Sequence, residues 1–170
     1  MKLAFIVSGL AALASGMAVE KRDGTCAMQP AGSGPAVIPD TANAFRNNPI
    51  FTAAAISGFA PTNYTRSFVN LQGSSQVANY LGNTLLTSYS PAQCGSFCSQ
   101  TAGCVAFNTF FERDPSMDPN AVGCPNPSSV TNIKCVLWGN KIDSTTATNV
   151  GQNRASFQVV IAGSNGYNRN

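Results

Sequence analysis

The sequence predicts an α+β protein in which helices pack against a sheet that is covered on both faces. Three runs rich in branched and aromatic residues, at about 104–112, 133–138 and 156–162, are typical of β-strands. Apolar side chains fall on both alternating faces of these runs, so we place them in the middle of the sheet. Two other segments carry helix start signals, and six cysteines are available to cross-link the elements.

Two further strands are predicted earlier in the chain. The run 64–71 alternates in polarity, and 77–86 follows a turn signal at Gly73-Ser74-Ser75. Because a short turn joins them, we expect the two runs to pair with each other in antiparallel fashion.

An irregular arm and a short helix precede these strands. Glycines and prolines exclude regular structure from residues 23–39, and Cys26 within this arm indicates that it is tied to the body. We predict a short N-terminal helix over about 41–55, with Asp40 as its N-cap. Pro49 indicates a break or a second short turn within it.

A second helix is predicted from its start signal. Ser90 takes the N-cap position, Pro91 the first helical position and Gln93 the third, which is the pattern of a capping box. The helix is expected to end near Gly103, because glycine adopts the left-handed conformation that often follows a helix.

The N-terminus has the parts of a secretory signal peptide. Residues 1–18 contain a charged start, a short apolar run and small residues before the expected cleavage. Residues 19–22 end in the dibasic pair Lys21-Arg22 and are expected to form a short pro-segment, unless the basic pair is incidental. We therefore expect a secreted protein, either extracellular or in the cell wall.

The charge of the mature chain is nearly balanced. After removal of residues 1–22 it has 7 basic and 6 acidic side chains, with no basic patch. We therefore expect neither a nucleic acid nor a membrane as partner. Nothing in the sequence indicates an oligomeric state. Asn63 begins a glycosylation acceptor sequence, Asn-Tyr-Thr, that the secretory route makes usable.

Histidine is absent from the 170 residues. The chain therefore lacks a Ser-His-Asp or Cys-His nucleophile system and a histidine general base. A zinc site built from thiolates alone is disfavoured, because the compartment is oxidising and no C-x-x-C pair occurs. We expect no enzyme activity, no metal and no cofactor.

Six cysteines in an oxidising compartment indicate three disulfides, for which 15 pairings are conceivable. Cys94 and Cys98 lie four apart on the predicted helix, with Cβ atoms about 5–6 Å apart, whereas a disulfide needs about 3.5–4.5 Å. Each must therefore bond elsewhere: Cys98 to Cys104 just past the helix, and Cys94 to Cys135 in an apolar strand. The expected pairs are Cys94–Cys135, Cys98–Cys104 and, from the remaining loops, Cys26–Cys124.

The cysteine spacing resembles that of the PAN/apple module. Its pattern is a cysteine-bearing helix, a "GC-x-AF" strand, here 103–107, and a "C-x-L" strand, here 135–137. More closely, residues 94–167 resemble small secreted proteins of filamentous fungi that carry an apple-like domain. The resemblance implies a single domain over 40–170, with an antiparallel sheet of about five strands cradling one helix.

The resemblance also carries expectations about bonding and function. It implies the nested disulfides Cys94–Cys135 and Cys98–Cys104, whereas Cys26, Cys124 and a proline-rich insertion depart from the pattern. PAN/apple modules are mostly binding units for proteins or carbohydrates, so it implies a non-enzymatic binding role.

Candidate ligand-binding residues lie on two predicted strands and just beyond their ends. Trp138 is the single tryptophan, and Asn140 and Lys141 follow it closely. Aromatic rings stack on sugars and peptides, so we predict a binding site at this edge, with core packing of Trp138 as the alternative. Asn108 and Arg113 complete the set of candidate binding residues.

Two carboxylates near the end of the 104–112 strand are candidates for catalysis. Glu112 and Asp114 are two residues apart, at a spacing of about 7 Å on one face, which the 6.5–9.5 Å of an inverting glycosidase would allow. Arg113 beside an exposed strand end indicates ordinary solvated charges instead. Asp114 and Asp118 lack a calcium-loop motif.

The sequence thus favours a secreted, non-enzymatic binding module that recognises an extracellular carbohydrate, glycoprotein or other protein, with the cell wall as the expected location. The alternatives are a structural or host-directed effector-like protein without glycan binding, and a histidine-free glycan hydrolase.

Overall fold

The computed structural model describes residues 25–170, so the expected signal peptide, the pro-segment and the first residues of the arm lie outside the described residues. The fold is α+β and contains six antiparallel strands. The strands are β1 (Tyr64–Leu71), β2 (Tyr80–Leu86), β3 (Ala106–Pro115), β4 (Ser129–Trp138), β5 (Gly151–Arg154) and β6 (Phe157–Arg169). The helices are α1 (Ala42–Arg46), α2 (Pro49–Ser57) and α3 (Pro91–Gln100), with a 3-10 turn at Ser144–Thr146.

The strand order in the sheet is β1-β6-β3-β4-β2, with β5 paired to β6. The three strands predicted for the middle of the sheet are its central strands, as expected. The predicted pairing of 64–71 with 77–86 was wrong, because β1 pairs with β6 and β2 pairs with β4 at the opposite edge. Residues 72–79 do not form a hairpin turn but cross one face of the sheet, where the Ser75 amide donates to Asn108 of β3.

The helices cover the other face of the sheet. Phe51 of α2 stacks on Phe111 of β3 with ring centroids 4.2 Å apart, and Phe107 of β3 stacks on Tyr167 of β6 at 4.7 Å. All four rings are buried. Burial of each large apolar side chain contributes roughly 1.5–3 kcal/mol, so this aromatic cluster fixes the helices on the sheet.

One of the two predicted N-caps is correct. Ser90 accepts a hydrogen bond from the Gln93 amide at the start of α3, as predicted. The predicted break at Pro49 is also present, and α2 begins there. Asp40 was wrongly predicted as the first N-cap: Thr41 caps α1, while the Asp40 carboxylate pairs with an arginine of β3.

A second apolar cluster covers the face of the sheet that lies away from the helices. Phe110 of β3, Trp138 of β4 and Ile161 of β6 are buried there. Segments 72–79 and 140–149 lie over them and contribute Val77, Ile142 and Ala147. The central strands are thus covered on both faces, as the sequence predicts.

Three disulfides hold the elements together, with the pairings expected from the sequence. Cys94–Cys135 joins α3 to β4, Cys98–Cys104 joins α3 to the segment that leads into β3, and Cys26–Cys124 ties the arm to a loop. In the loop-entropy model the Cys94–Cys135 closure contributes about 4 kcal/mol.

The arm also packs directly on β4. The Gly34 amide donates to the Thr131 carbonyl over 2.9 Å. A Cβ placed on Gly32 would lie 2.1 Å from that same carbonyl oxygen, so only glycine allows the close approach.

Candidate functional site

The candidate binding residues fall in three different environments. Trp138 is 6% exposed and packs in the second apolar cluster. Asn140 and Lys141 are exposed in the loop after β4, where Asn140 Oδ1 accepts a hydrogen bond from Asn79 Nδ2 over 2.9 Å. The structure therefore does not bring these three side chains together into one site.

Asn108 and Arg113 are buried and hold the framework together. Asn108 Oδ1 accepts from the Ser75 amide, and its Nδ2 donates to Ser164 and to the Asn165 carbonyl over 2.9 and 2.8 Å. Since these bonds engage both ends of its amide, we do not place Asn108 in a ligand site.

Arg113 makes a comparable set of internal contacts. Its guanidinium lies 2.7 Å from the Asp40 carboxylate, donates to the Gln158 carbonyl over 2.8 Å, and stacks over the Phe157 ring at 4.1 Å. Arg113 therefore ties β3 to β6 and to Asp40, the residue before the N-cap of α1, and its guanidinium is engaged within the fold.

A polar groove crosses the sheet surface between β2 and β4. Two adjoining pockets of about 280 and 180 Å³ share Asn83 and Lys134 in their linings. One extends towards Trp138 and Tyr80, and the other towards Asp114. We call this feature the β2–β4 groove; its central residues are Asn83, Glu112, Asp114, Asn132, Lys134 and Trp138.

Strand register explains why the polar groups meet here. Glu112 and Asp114 are two residues apart on β3 and so share a face. Glu112 pairs directly with Asn132 of β4, and Lys134 follows two residues further along that strand. Their side chains therefore converge on one patch of the sheet.

A compact charge cluster results. The Lys134 ammonium forms an ion pair with Glu112 and lies 3.9 Å from Asp114 Oδ2. Asn132 Nδ2 donates to the same Asp114 oxygen over 2.7 Å. One lysine thus neutralises part of the charge of two carboxylates.

The surroundings raise the pKa of both Glu112 and Lys134. Burial, followed by the nearby charge of Asp114, raises the pKa of Glu112 from 4.5 to about 7, and the Lys134 ammonium offsets this only in part. Burial opposes the charge on Lys134, but the attraction of Glu112 and Asp114 outweighs it and raises the pKa of the lysine. The charged form of Lys134 is stabilised by two carboxylates. The charged form of Glu112 is disfavoured by burial, and Glu112 shares the Lys134 ammonium with Asp114.

The expectation of ordinary solvated carboxylates was therefore wrong for Glu112, which is 8% exposed. The sequence suggested an exposed strand end, but β3 continues to Pro115 and stays paired with β4 along this length. The neighbouring Arg113 makes its ion pair with Asp40 and not with this cluster.

The cluster geometry does not suit glycoside hydrolysis. Because Lys134 contacts both carboxylates, the nearest oxygens of Glu112 and Asp114 are closer than the 6.5–9.5 Å that an inverting enzyme needs. A retaining enzyme needs one carboxylate free to attack the sugar carbon, and here the Lys134 ammonium contacts both carboxylates.

Metal binding finds no support within residues 25–170, which contain no group of three or more histidine, cysteine or acidic residues placed to hold an ion. Asp118 lies 3.6 Å from the Arg154 guanidinium. No helix in this part of the chain is long and apolar enough to cross a membrane.

Two residues of the groove lining each have a buried polar atom without a hydrogen-bond partner. Within the described part of the chain, Asn132 Oδ1 and Trp138 Nε1 have no hydrogen-bond partner. A buried polar atom without a partner is destabilising, so such atoms call for an explanation. Both belong to residues that line the groove.

Sequence reasoning missed Tyr80, Asn83, Asn132 and Lys134 as site residues. One signal was available for Lys134, which is the only charged residue in the apolar run 133–138. The other three carry no local signal, because their position at the groove depends on the pairing of β2 with β4.

The predicted glycosylation acceptor Asn63 is exposed immediately before β1.

Comparison of the chain with protein-family models, with curated proteins and with solved structures finds no match.

Proposed function

We propose that this protein is a secreted, non-enzymatic binding module of the PAN/apple-like kind, which recognises an extracellular carbohydrate at the cell wall through the β2–β4 groove. The apple-like assignment is supported by α3, which lies on the sheet and carries both Cys94–Cys135 and Cys98–Cys104. The sixth strand and Cys26–Cys124 are additions to that pattern.

The observation that carries the proposal is the chemistry of the groove lining. Amide side chains, namely Asn83, Asn132 and Gln76, line it together with the charge cluster. Amides offer both donors and acceptors, which match the hydroxyl groups of a sugar. Trp138, whose buried Nε1 has no hydrogen-bond partner within residues 25–170, belongs to the same lining.

An aromatic ring at the rim supplies the apolar contact that sugar rings need. Tyr80 is 54% exposed and meets Trp138 edge to face, with ring centroids 5.5 Å apart. Because Trp138 holds it from beneath, the Tyr80 ring is positioned while one part of it remains free for a ligand.

The test is retention of the protein from residue 23 onwards on insoluble wall polysaccharides, followed by a glycan array. We expect a restricted set of glycans to bind, and Tyr80→Ala and Asn83→Ala each to lower the affinity by about tenfold or more. Phe59→Ala is the matched control, because Phe59 is 76% exposed and lies outside the groove lining.

Trp138→Ala is not a suitable probe of binding. Truncating a buried tryptophan costs about 3–5 kcal/mol of stability, so a loss of retention would report unfolding. No retention of the wild-type protein on any glycan would refute the proposal and favour the structural or host-directed alternative.

A further inference from the structure

The charges in the β2–β4 groove do not balance once Glu112 is ionised. Glu112 and Asp114 contribute two carboxylates to the cluster, and Lys134 contributes one ammonium. Arg154 also lines the groove, but its guanidinium is engaged with Asp118 at 3.6 Å. When both carboxylates are ionised, the groove therefore carries one negative charge without a counter-ion from its own side chains.

An unused acceptor lies beside that charge. Asn132 is 9% exposed, and its Nδ2 donates to Asp114, which fixes the orientation of the amide. Its Oδ1 has no donor among residues 25–170. A buried acceptor in this position suits a ligand that brings an N–H or O–H group.

We propose that the β2–β4 groove binds an amino sugar, whose protonated amine is held by Glu112, Asp114 and Asn132 Oδ1. This inference rests on the proposed carbohydrate-binding function. A primary ammonium has three donors, which match the two carboxylates and the amide oxygen in number. Its charge balances the groove, and Lys134 keeps its contact with Glu112.

The rim of the groove favours an amino sugar over a lysine side chain of a protein. Tyr80 offers a partly exposed ring, and Asn83 an exposed amide, next to the charge cluster. Asn83 Nδ2 donates to the Tyr80 hydroxyl, which leaves the Asn83 amide oxygen and the Tyr80 ring for a ligand. An aliphatic lysine chain has no donor for that oxygen along its length, whereas a sugar ring meets both groups with its hydroxyls and its apolar face.

Proton release provides a second signature. The charged groups next to Glu112 are Asp114 on its own strand and Lys134 on β4. Tyr80 of β2 contributes to the raised pKa of Lys134, and Arg154 of β5 lines the same groove. The raised pKa of Glu112 means that this carboxyl is mostly protonated at about pH 6. A bound ammonium favours the carboxylate, so binding at that pH releases a proton to the buffer.

The experiment is calorimetric titration of the protein from residue 23 onwards with fully deacetylated glucosamine oligomers and with N-acetylglucosamine oligomers of the same length. We expect at least about tenfold tighter binding of the deacetylated form. Repeating the titration at about pH 6 in buffers of different ionisation enthalpy should show proton release for that ligand only.

Two variants test whether the proton release and the preference for the deacetylated oligomer arise at Glu112. Glu112→Gln should abolish the proton release and reduce the preference for the deacetylated oligomer by about tenfold. Asp143→Asn is the matched control: it removes one exposed carboxylate outside the groove lining, while asparagine can still cap the turn that follows. It should leave both quantities unchanged.

The outcomes separate this inference from the proposed function. Equal or tighter binding of the N-acetylated oligomer, or binding of a neutral glycan alone, overturns the amino-sugar inference and leaves carbohydrate binding intact. Tighter binding of a lysine-rich peptide than of any glucosamine oligomer overturns it in favour of a protein partner. If no glycan of any kind binds, both proposals fail.

Discussion

Replacing Glu112 by glutamine should stabilise the protein at neutral pH, although it removes an ion pair. The carboxylate forms a salt bridge with Lys134, but burial and the neighbouring Asp114 raise its pKa. A raised pKa means that the folded state disfavours the charged form of Glu112. Glutamine has nearly the same shape and carries no charge, so it avoids this cost.

The pKa gives the size and the sign of the effect. A rise from 4.5 in the unfolded chain to about 7 in the folded protein corresponds to about 3 kcal/mol. Between these two values the folded state binds more protons, so its free energy of unfolding falls as the pH rises. The loss is complete above about pH 7, and below about pH 4.5 the residue contributes no pH dependence.

Chemical denaturation of wild type and Glu112→Gln between about pH 5 and pH 8 measures this directly. The variant should be more stable by just under about 1 kcal/mol near pH 5 and by up to about 3 kcal/mol near pH 8. Asp143→Asn, which removes an exposed carboxylate, should retain the wild-type slope. If Glu112→Gln is less stable than wild type at pH 8, the ion pair is net stabilising and our account of the cluster is incorrect.

Three further predictions concern the framework. The double variant Cys94→Ala/Cys135→Ala should lose about 4 kcal/mol of unfolding free energy, measured by denaturant titration; a loss below about 1 kcal/mol would contradict the clamp between α3 and β4. Gly32→Ala should lower the melting temperature, corresponding to a cost of about 1–3 kcal/mol, because its Cβ meets the Thr131 carbonyl; an unchanged melting temperature would mean that the arm does not pack closely. In a secretory host Asn63→Gln should remove one N-linked glycan, and an unchanged mass of the attached glycans would show that the site is not used.

Local signals account for the parts of the fold that the sequence predicts well. The start of α3 follows from Ser90 and Pro91, which act within a single turn. The pairing of Cys98 with Cys104 follows from helix geometry together with a short connection. The central position of the apolar strands follows from their two apolar faces.

Long-range partners explain the errors. Asp40 has the chemistry of an N-cap, yet the guanidinium of Arg113, far along the chain, takes its carboxylate and Thr41 caps the helix instead. The turn signal Gly73-Ser74-Ser75 suggests a hairpin, but Asn108 of β3 accepts from its backbone and draws the segment across the sheet.

The last strand, β6, also extends further than its local sequence pattern predicts. Its predicted end near residue 162 reflects the polar and glycine-rich residues that follow, which resemble a loop. In the structure β6 continues to Arg169, because Asn165 and Tyr167 are buried and bond to the Ala55 and Gly58 carbonyls of the helical region. Tertiary partners for polar side chains are not visible in a local pattern.

The candidate site was predicted least well, because it depends on register. Glu112 and Asp114 could be placed on one face from their spacing alone. That Lys134 and Asn132 lie opposite them requires the pairing of β3 with β4, and that Asn83 completes the groove requires β2 beside β4.

Amide chemical-shift mapping of the isotope-labelled protein, titrated with the glycan that the array selects, tests the central claim most directly. We expect the shifts to concentrate around the β2–β4 groove, at Asn83, Glu112 and Lys134, and to be absent around Phe59. Shifts confined to the surface near Phe59, with the groove amides unmoved, would contradict the claim that this groove is the binding site.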